Sequence, residues 1–145
     1  MENRRHDDRL IFLIGQARQR LYARLDQALL ANAGVTAAQA GALFFLMQKD
    51  GCLLRELSRG LMLDKSAVTR MAERLEKKAL IERRPCQRDG RAVRVCLTRA
   101  GQQTAGGCLA TVKAYNEAIK KDFSASEIRS FSRILQTIIQ RFTEE

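Results

Sequence analysis

The sequence predicts a mostly α-helical fold, with a winged helix-turn-helix at its centre, long helices at both ends and a wing of two or three strands. Three observations predict it. Apolar residues recur at helical spacing near both ends of the chain. A short helix, a turn and a helix with one polar face follow one another in the middle. Two segments of strand-like alternation then flank Asp89-Gly90, a strong turn signal.

The length and net charge of the chain limit its number of domains and its possible binding partners. Its 145 residues are 46% hydrophobic, enough for one domain with a core over residues 1–145. The formal charge is +10, and the segment from Arg55 to Arg99 holds 13 Lys and Arg against 6 Asp and Glu. Such a basic segment is typical of proteins that bind a polyanion. A solvated basic surface is the alternative. Membrane binding is disfavoured, because no helix in the segment has a broad apolar face.

The sequence contains no feature of a membrane, secreted or metal-binding protein. No apolar stretch approaches the roughly 20 residues of a membrane-spanning helix, and the first eight residues mix both charge signs. We therefore expect a cytoplasmic protein. The four cysteines form no C-x-x-C pair and His6 is the one histidine, so we expect no metal and no cofactor. Reduced cysteines acting as small hydrophobes are expected, with redox sensing as the alternative.

The first and last helices each carry one apolar stripe. The first covers about residues 7–32, and its stripe consists of Leu10, Ile14, Ala17, Leu21, Leu25 and Ala28. The last begins after Ser124, where Ser124 and Glu127 fit a capping box. Its stripe consists of Ile128, Phe131, Leu135, Ile138 and Phe142. These positions step by three and four residues, which is coiled-coil spacing.

Two further helices lie inside these. One begins at Thr36, which fits a capping box with Gln39, and ends before Asp50-Gly51. Its predicted inward residues are Ala40, Leu43, Phe44 and Met47. The other runs from Thr98 to about Lys121 and is interrupted by Gly106-Gly107. The glycines indicate either a bend or the close approach of another backbone, and the sequence does not decide between them.

The central segment predicts a helix-turn-helix. A very short strand at residues 52–54 precedes a helix over about residues 55–60, and Asp64 is placed to cap the helix from Lys65 to about Lys78. The apolar face of that helix consists of Val68, Met71, Ala72 and Leu75. The opposite face consists of Lys65, Ser66, Thr69, Arg70, Glu73 and Lys77. A helix of this kind fits the major groove of DNA, where Arg70 can bind guanine through two hydrogen bonds.

The wing is predicted from strands over residues 81–86 and 92–97. Its tip holds Arg88 and Arg91 around Asp89-Gly90, and its flanks carry Arg83, Arg84, Arg94 and Arg99. Six arginines against Glu82 and Asp89 repel one another unless a polyanion lies nearby. An arginine at a narrow tip can enter the minor groove. We expect Asp89 to orient Arg91.

These segments together resemble the MarR/SlyA family of bacterial regulators. The resemblance rests on residues 56–58, 63–70 and 74–81, on Arg83-Arg84, on residues 89–91 and on residues 97–101. Each piece alone is common, whereas their combined order is specific, and the resemblance covers essentially the whole chain.

The resemblance implies a homodimer that binds a pseudo-palindromic operator on double-stranded DNA, usually as a repressor. It implies a DNA-binding lobe at about residues 36–99 and dimerisation helices at about 7–32 and 99–143. The predicted DNA-binding residues are Lys65, Ser66, Thr69, Arg70, Arg74, Arg88, Asp89 and Arg91. The predicted dimerisation residues are Leu10, Ile14, Leu21, Ile128, Phe131, Leu135, Ile138 and Phe142. One departure is Ala79, where the family commonly has a glycine, so we expect the end of the recognition helix to differ.

Alternatives concern regulation more than DNA binding. Family members often release DNA when a small aromatic compound binds, and others respond to cysteine oxidation. Arginines near Cys86 and Cys96 favour a reactive thiolate, although the offset of the two cysteines argues against a disulfide between them.

An architectural DNA binder without sequence preference stays open. An enzyme is disfavoured, because no nucleophile–base set or phosphate loop occurs.

Overall fold

The computed structural model describes residues 7–143, so His6 lies outside the described residues. Within that range the predicted order of helices and hairpin is confirmed, with a third short strand completing the wing sheet. The helices are α1 (Leu10–Ala33), α2 (Ala37–Gln48), α3 (Leu54–Leu61), α4 (Lys65–Lys77), α5 (Arg99–Lys120) and α6 (Ala125–Arg141). The strands are β1 (Cys52–Leu53), β2 (Ile81–Pro85) and β3 (Val93–Leu97).

The chain divides into two compact units. The first extends to Thr111 and holds every element from α1 to the first half of α5. The second begins at Val112 and holds the rest of α5 together with α6. Among the described residues no single helix is long and apolar enough to cross a membrane. Only α1 and α2 taken together, with a 69° bend between them, satisfy length and composition.

The core of the first unit is built from α2, α3, α4 and the sheet. Leu43, Leu57, Val68 and Val95 are fully buried in it. Of the four residues predicted to face inward from α2, Ala40 and Leu43 are buried and Phe44 is partly buried. The prediction for Met47 is wrong, since it is 47% exposed and Leu46 is buried instead. Apolar residues occupy nearly every side of α2, so spacing alone could not identify its inward face.

The predicted helix caps are confirmed. Thr36 accepts the backbone N–H of Gln39 at 3.1 Å, and the Gln39 side chain accepts the N–H of Thr36 at 3.1 Å. Ser124 and Glu127 form the same reciprocal pair in the second unit. These bonds satisfy N–H groups that have no partner inside the helix, which is why each helix begins where it does.

Three antiparallel strands form the wing sheet in the order β1-β3-β2. The register pairs Ile81 with Leu97 and Pro85 with Val93, so Cys96 lies opposite Glu82 rather than Cys86. The absence of a disulfide between the two cysteines, predicted from their offset, agrees with this register, and both thiols are free. The predicted turn at Asp89-Gly90 is confirmed by a bond from the Ala92 N–H to the Asp89 carbonyl oxygen at 3.0 Å.

Helix α5 continues without interruption through Gly106 and Gly107. A methyl group added at either glycine would meet no atom within 4 Å. The sequence left open whether another backbone approaches these glycines closely. Within the described part of the chain, none does.

The C-terminal end of α4 adopts the left-handed geometry that Ala79 disfavours. Ala79 has a φ of 59°. Its N–H donates to the Glu76 carbonyl oxygen at 2.9 Å, and the Leu80 N–H donates to the Leu75 carbonyl oxygen at 3.0 Å. This is the Schellman arrangement usually closed by glycine. The expectation of a different helix end is therefore wrong, because two hydrogen bonds and the burial of Leu80 offset a backbone cost of about 1–2 kcal/mol.

Replacing Ala79 with glycine is expected to raise the free energy of unfolding by about 0.5–1 kcal/mol, because glycine adopts a positive φ without steric cost. Urea denaturation of both proteins measures the change. The matched control is Ala110→Gly on the exposed face of α5, where the same substitution should lower the free energy by about 1 kcal/mol. Destabilisation at both positions would contradict the proposed strain at Ala79.

Candidate nucleic-acid interface

The turn between α3 and α4 is held by local hydrogen bonds. The Ser58 hydroxyl donates to the Leu63 carbonyl oxygen at 2.6 Å, and the Leu63 N–H donates to the Ser58 carbonyl oxygen at 3.0 Å. Met62, between them, has a φ of 55°. This turn fixes the angle at which α4 leaves α3, and Val68, Ala72 and Leu75 hold α4 to the core.

Asp64 caps α4, as the sequence predicted. Its carboxylate accepts the Ala67 N–H at 2.7 Å and the Ser66 hydroxyl at 2.9 Å. The Ala67 N–H, and then the Ser66 hydroxyl, hold the pKa of Asp64 below its usual value. The cap therefore contributes stability above the ordinary pKa of an aspartate, and that contribution is lost as the pH falls through the lowered value.

The outward face of α4 carries the predicted DNA-reading residues. Lys65, Ser66, Arg70 and Arg74 are exposed, and Thr69 is half-buried. The Thr69 hydroxyl donates to the Lys65 carbonyl oxygen at 2.7 Å. Because the Ser66 and Thr69 hydroxyls both donate to groups of the chain, their oxygens are left as hydrogen-bond acceptors. Lys65, Arg70 and Arg74 supply the donors on this face.

Several wing arginines have partners inside the chain, which the sequence did not reveal. Arg83 binds Glu76 through two side-chain bonds of 3.1 and 3.2 Å, and this pair lowers the pKa of Glu76. Arg84 binds Glu82 at 2.7 Å. Arg94 donates to the carbonyl oxygen of Gly51 at 2.8 Å. The repulsion expected among six arginines is therefore partly relieved by internal contacts.

The wing tip keeps its two cations available. No ion pair or hydrogen bond engages the guanidinium groups of Arg88 and Arg91 anywhere in residues 7–143. Asp89 accepts the backbone N–H of Arg91 at 3.0 Å, so its carboxylate shapes the turn and leaves the Arg91 side chain free. Asp89 therefore holds Arg91 through the Arg91 backbone N–H and not through the guanidinium group.

A crevice of about 510 Å³ opens between α3, the start of α4 and the wing. It brings three predicted residues together, namely Lys65, Asp89 and Arg91. Arg55 and Arg59 from α3 also line it, and neither is among the DNA-binding residues predicted from the sequence. Their four-residue spacing on one short helix was the available signal. Arg70 and Arg74 lie outside this crevice, and Arg88 lines a separate cavity on the wing.

The crevice concentrates four cations around one opening. Arg55, Arg59, Lys65 and Arg91 line the crevice together with one acidic residue, Asp89. Such a concavity attracts an oxyanion such as a phosphate. The described residues contain no group of three or more His, Cys, Asp or Glu placed to hold a metal ion.

Comparison with known proteins identifies the family. Residues 33–92 match the model described as the MarR family. The chain is 30% identical over 132 residues to the multiple antibiotic resistance protein MarR of Escherichia coli, covering 90% of this chain and 89% of that protein. The chain belongs to the MarR family.

Solved structures share the fold of this MarR-family chain. A probable transcriptional regulator from Pseudomonas aeruginosa has a TM-score of 0.80 and 31% identity, covering 92% of this chain and 98% of that one. Bordetella bronchiseptica BpsR, whose DNA binding is regulated by 6-hydroxynicotinic acid, has a TM-score of 0.81 and 22% identity, covering 90% and 98% of the two chains. The protein is a MarR-family transcriptional regulator with the winged-helix fold.

Proposed function

We propose that this MarR-family regulator is a homodimeric, cytoplasmic repressor that binds a pseudo-palindromic operator in double-stranded DNA. The observation that carries the proposal is the set of exposed cations on α4, around the crevice and at the wing tip. Arg70, Arg74, Arg88 and Arg91 are exposed within it. A duplex offers phosphates on both sides of each groove, and a surface with separate helical and hairpin projections fits that geometry.

In this proposal α4 reads the major groove. Arg70 and Arg74 are one turn apart on its outer face and suit the acceptor edge of guanine. Ser66 and Thr69 present oxygen acceptors to base amino groups or receive water bridges. Lys65, at the first turn, adds a positive charge where free N–H groups already favour a phosphate.

The crevice holds a backbone phosphate between the two grooves. Arg55 and Arg59 approach it from α3 and Lys65 from α4, while Arg91 borders the same crevice from the wing. Phosphate contacts of this kind set register and orientation, and base contacts then discriminate between sequences. The guanidinium groups of Arg88 and Arg91, without internal partners in the described chain, continue into the minor groove.

Dimerisation is proposed from exposed apolar stripes in both units. In the first unit Leu10, Ile14 and Leu21 of α1 are exposed. In the second, Phe131 and Phe142 are exposed and Ile128, Leu135 and Ile138 are half-buried. Large apolar residues exposed along whole helices favour a partner surface. We therefore assign residues 7–32 and 99–143 to dimerisation, and residues 36–99 to DNA binding, within one domain of residues 1–145.

Replacing Phe131 with aspartate is expected to shift the protein from dimer to monomer. The substitution places a charge at a 50% exposed apolar position of the proposed dimer interface. Sedimentation velocity measures the change, and circular dichroism checks that helix content is kept. The neighbouring Ser130→Asp adds the same charge on an exposed polar position and should remain dimeric. A folded, dimeric Phe131→Asp protein would show that the dimer interface lies elsewhere.

The function is tested by selecting binding sites from randomised duplex DNA and measuring the affinity of the winners across a salt series. We expect a two-fold-symmetric site whose affinity falls steeply as salt rises. Binding without a preferred sequence would instead support an architectural role, and no binding would refute the proposal. The selected site also permits a screen of small aromatic acids for release, which the regulation of BpsR by 6-hydroxynicotinic acid supports.

A further inference from the structure

Lys78, at the C-terminal end of α4, is bonded to the corner between α1 and α2. Its ammonium group donates to the Gly34 carbonyl oxygen at 2.7 Å and to the Gln39 side-chain oxygen at 2.9 Å. These acceptors lie 44 and 39 residues away along the chain. Because the donor is charged, the two bonds are stronger than bonds between neutral groups. Together they form what we call the Lys78 bridge, which joins the recognition helix to the end of α1.

The corner that receives the Lys78 bridge is itself closed by hydrogen bonds. Gly34 ends α1 in the left-handed conformation, with a φ of 69°. The Asp26 carboxylate of α1 accepts the N–H of Ala37, the first residue of α2, at 2.7 Å. Gln39 is 6% exposed, and its side-chain oxygen serves both the capping box of α2 and Lys78. The corner is therefore a fixed point to which the end of α4 is attached.

The other attachments of α4 leave its angle incompletely fixed. The turn from α3 constrains its beginning, and Val68, Ala72 and Leu75 hold its inner face to the core. Apolar contacts are non-directional, so they permit a small rotation that hydrogen bonds resist. Helix α4 spans about 18 Å at about 1.5 Å per residue, and a rotation of about 10° moves one end by about 3 Å. A displacement of that size breaks a hydrogen bond to a base edge.

We propose that Lys78 is a positioning residue that sets the angle between α4 and α1, and through it the half-site spacing that the dimer prefers. This inference rests on the proposed function, in which α1 contributes to the dimer interface and α4 reads the major groove. A two-fold dimer has the same angle in both protomers, so a change in it alters the separation of the two recognition helices. Half-sites lie about 34–36 Å apart, and one base pair changes that distance by about 3.4 Å.

Lys77 provides a matched control one residue earlier. It is exposed, and no hydrogen bond or ion pair engages its ammonium group in residues 7–143. Lys77→Met and Lys78→Met therefore remove the same charge from the same end of α4, but only the second removes the Lys78 bridge. Lys78→Arg keeps the charge and the ability to donate to two oxygens, and we expect it to behave as the wild type.

The bridge itself is tested without DNA, by hydrogen exchange and mass spectrometry on the full chain. In Lys78→Met we expect amide exchange about tenfold faster than in the wild type in peptides covering residues 34–40 and 75–81. Lys77→Met should exchange as the wild type does. Circular dichroism and the urea midpoint check that folding is kept, and Lys78→Gln is the second variant if methionine alters folding. Equal exchange in the two methionine variants would overturn the bridge.

The effect on spacing is tested on three duplexes: the selected site, and the same site with one base pair inserted or deleted between its half-sites. We expect the wild type and Lys78→Arg to prefer the selected site by about tenfold or more. Lys78→Met should lose about tenfold on the selected site and little on the other two, so that its spacing preference nearly disappears. Lys77→Met should change all three affinities by the same factor.

Two results would overturn the role in spacing. If Lys78→Met weakens binding to all three duplexes equally, Lys78 acts only through its charge or through general stability. If Lys78→Met keeps the spacing preference of the wild type, the core alone sets the angle of α4. When the wild type selects no two-fold-symmetric site, the proposed function fails and the role in spacing fails with it, while hydrogen exchange still decides whether Lys78 holds α4 to the corner.

Discussion

Replacing Gly101 with alanine is expected to destabilise the protein by about 3 kcal/mol, because the added methyl group has no space. It would lie 2.0 Å from the carbonyl oxygen of Leu80 and 3.1 Å from a methyl carbon of Leu97. The Leu80 carbonyl already accepts the Thr98 N–H at 3.1 Å, and the Thr98 hydroxyl donates to the Ala79 carbonyl oxygen at 2.7 Å. Relieving the clash would therefore break the hydrogen bonds that join the start of β2 to the start of α5.

The same substitution five residues later provides the control. At Gly106 an added methyl group meets no atom within 4 Å, so Gly106→Ala should raise the free energy of unfolding by up to about 1 kcal/mol. Urea denaturation of the three proteins, with unchanged m-values, measures both effects. Equal stability of the wild type and Gly101→Ala would show that α5 does not pack against Leu80 as described.

Replacing Arg91 with alanine is expected to weaken binding to the selected duplex by about tenfold to a hundredfold and to reduce the salt slope by about one. The Arg91 side chain has no ion-pair partner in the described chain, and it lies at the crevice lined by Arg55, Arg59 and Lys65. Its loss removes a DNA contact without leaving an internal carboxylate unpaired. The stability of the protein should therefore remain within about 0.5 kcal/mol of the wild type.

The matched control for Arg91 removes the same charge elsewhere. Arg129 is exposed on α6, and Arg129→Ala should alter affinity far less. Fluorescence anisotropy at several salt concentrations gives both the affinity and the slope. If the two variants lose equal affinity, net charge alone explains the effect and Arg91 has no specific place in the interface.

Much of this fold follows from local features of the sequence. The caps at Thr36, Asp64 and Ser124 each depend on residues no more than three positions away. The turn at Asp89 and the alternation of β2 and β3 are equally local. Periodicity also separated the buried face of α4 from its polar face. It failed for α2, where Met47 was predicted to be buried, because a helix that is apolar on most sides has no preferred face in sequence.

What the sequence by itself determined was the order of elements, their caps, the family resemblance and the location of excess charge. Only the tertiary structure decided which charges remain available and which groups share a cavity. Arg94 reaches Gly51, 43 residues away, and Arg83 reaches Glu76, whereas Arg88 and Arg91 keep their guanidinium groups free in the described chain. Arg55 and Arg59 meet Arg91 only once α3 packs beside the wing. The physical reason is that helix and turn formation depend on hydrogen bonds between near neighbours, while ion pairs and cavities depend on distances that core packing sets between remote residues.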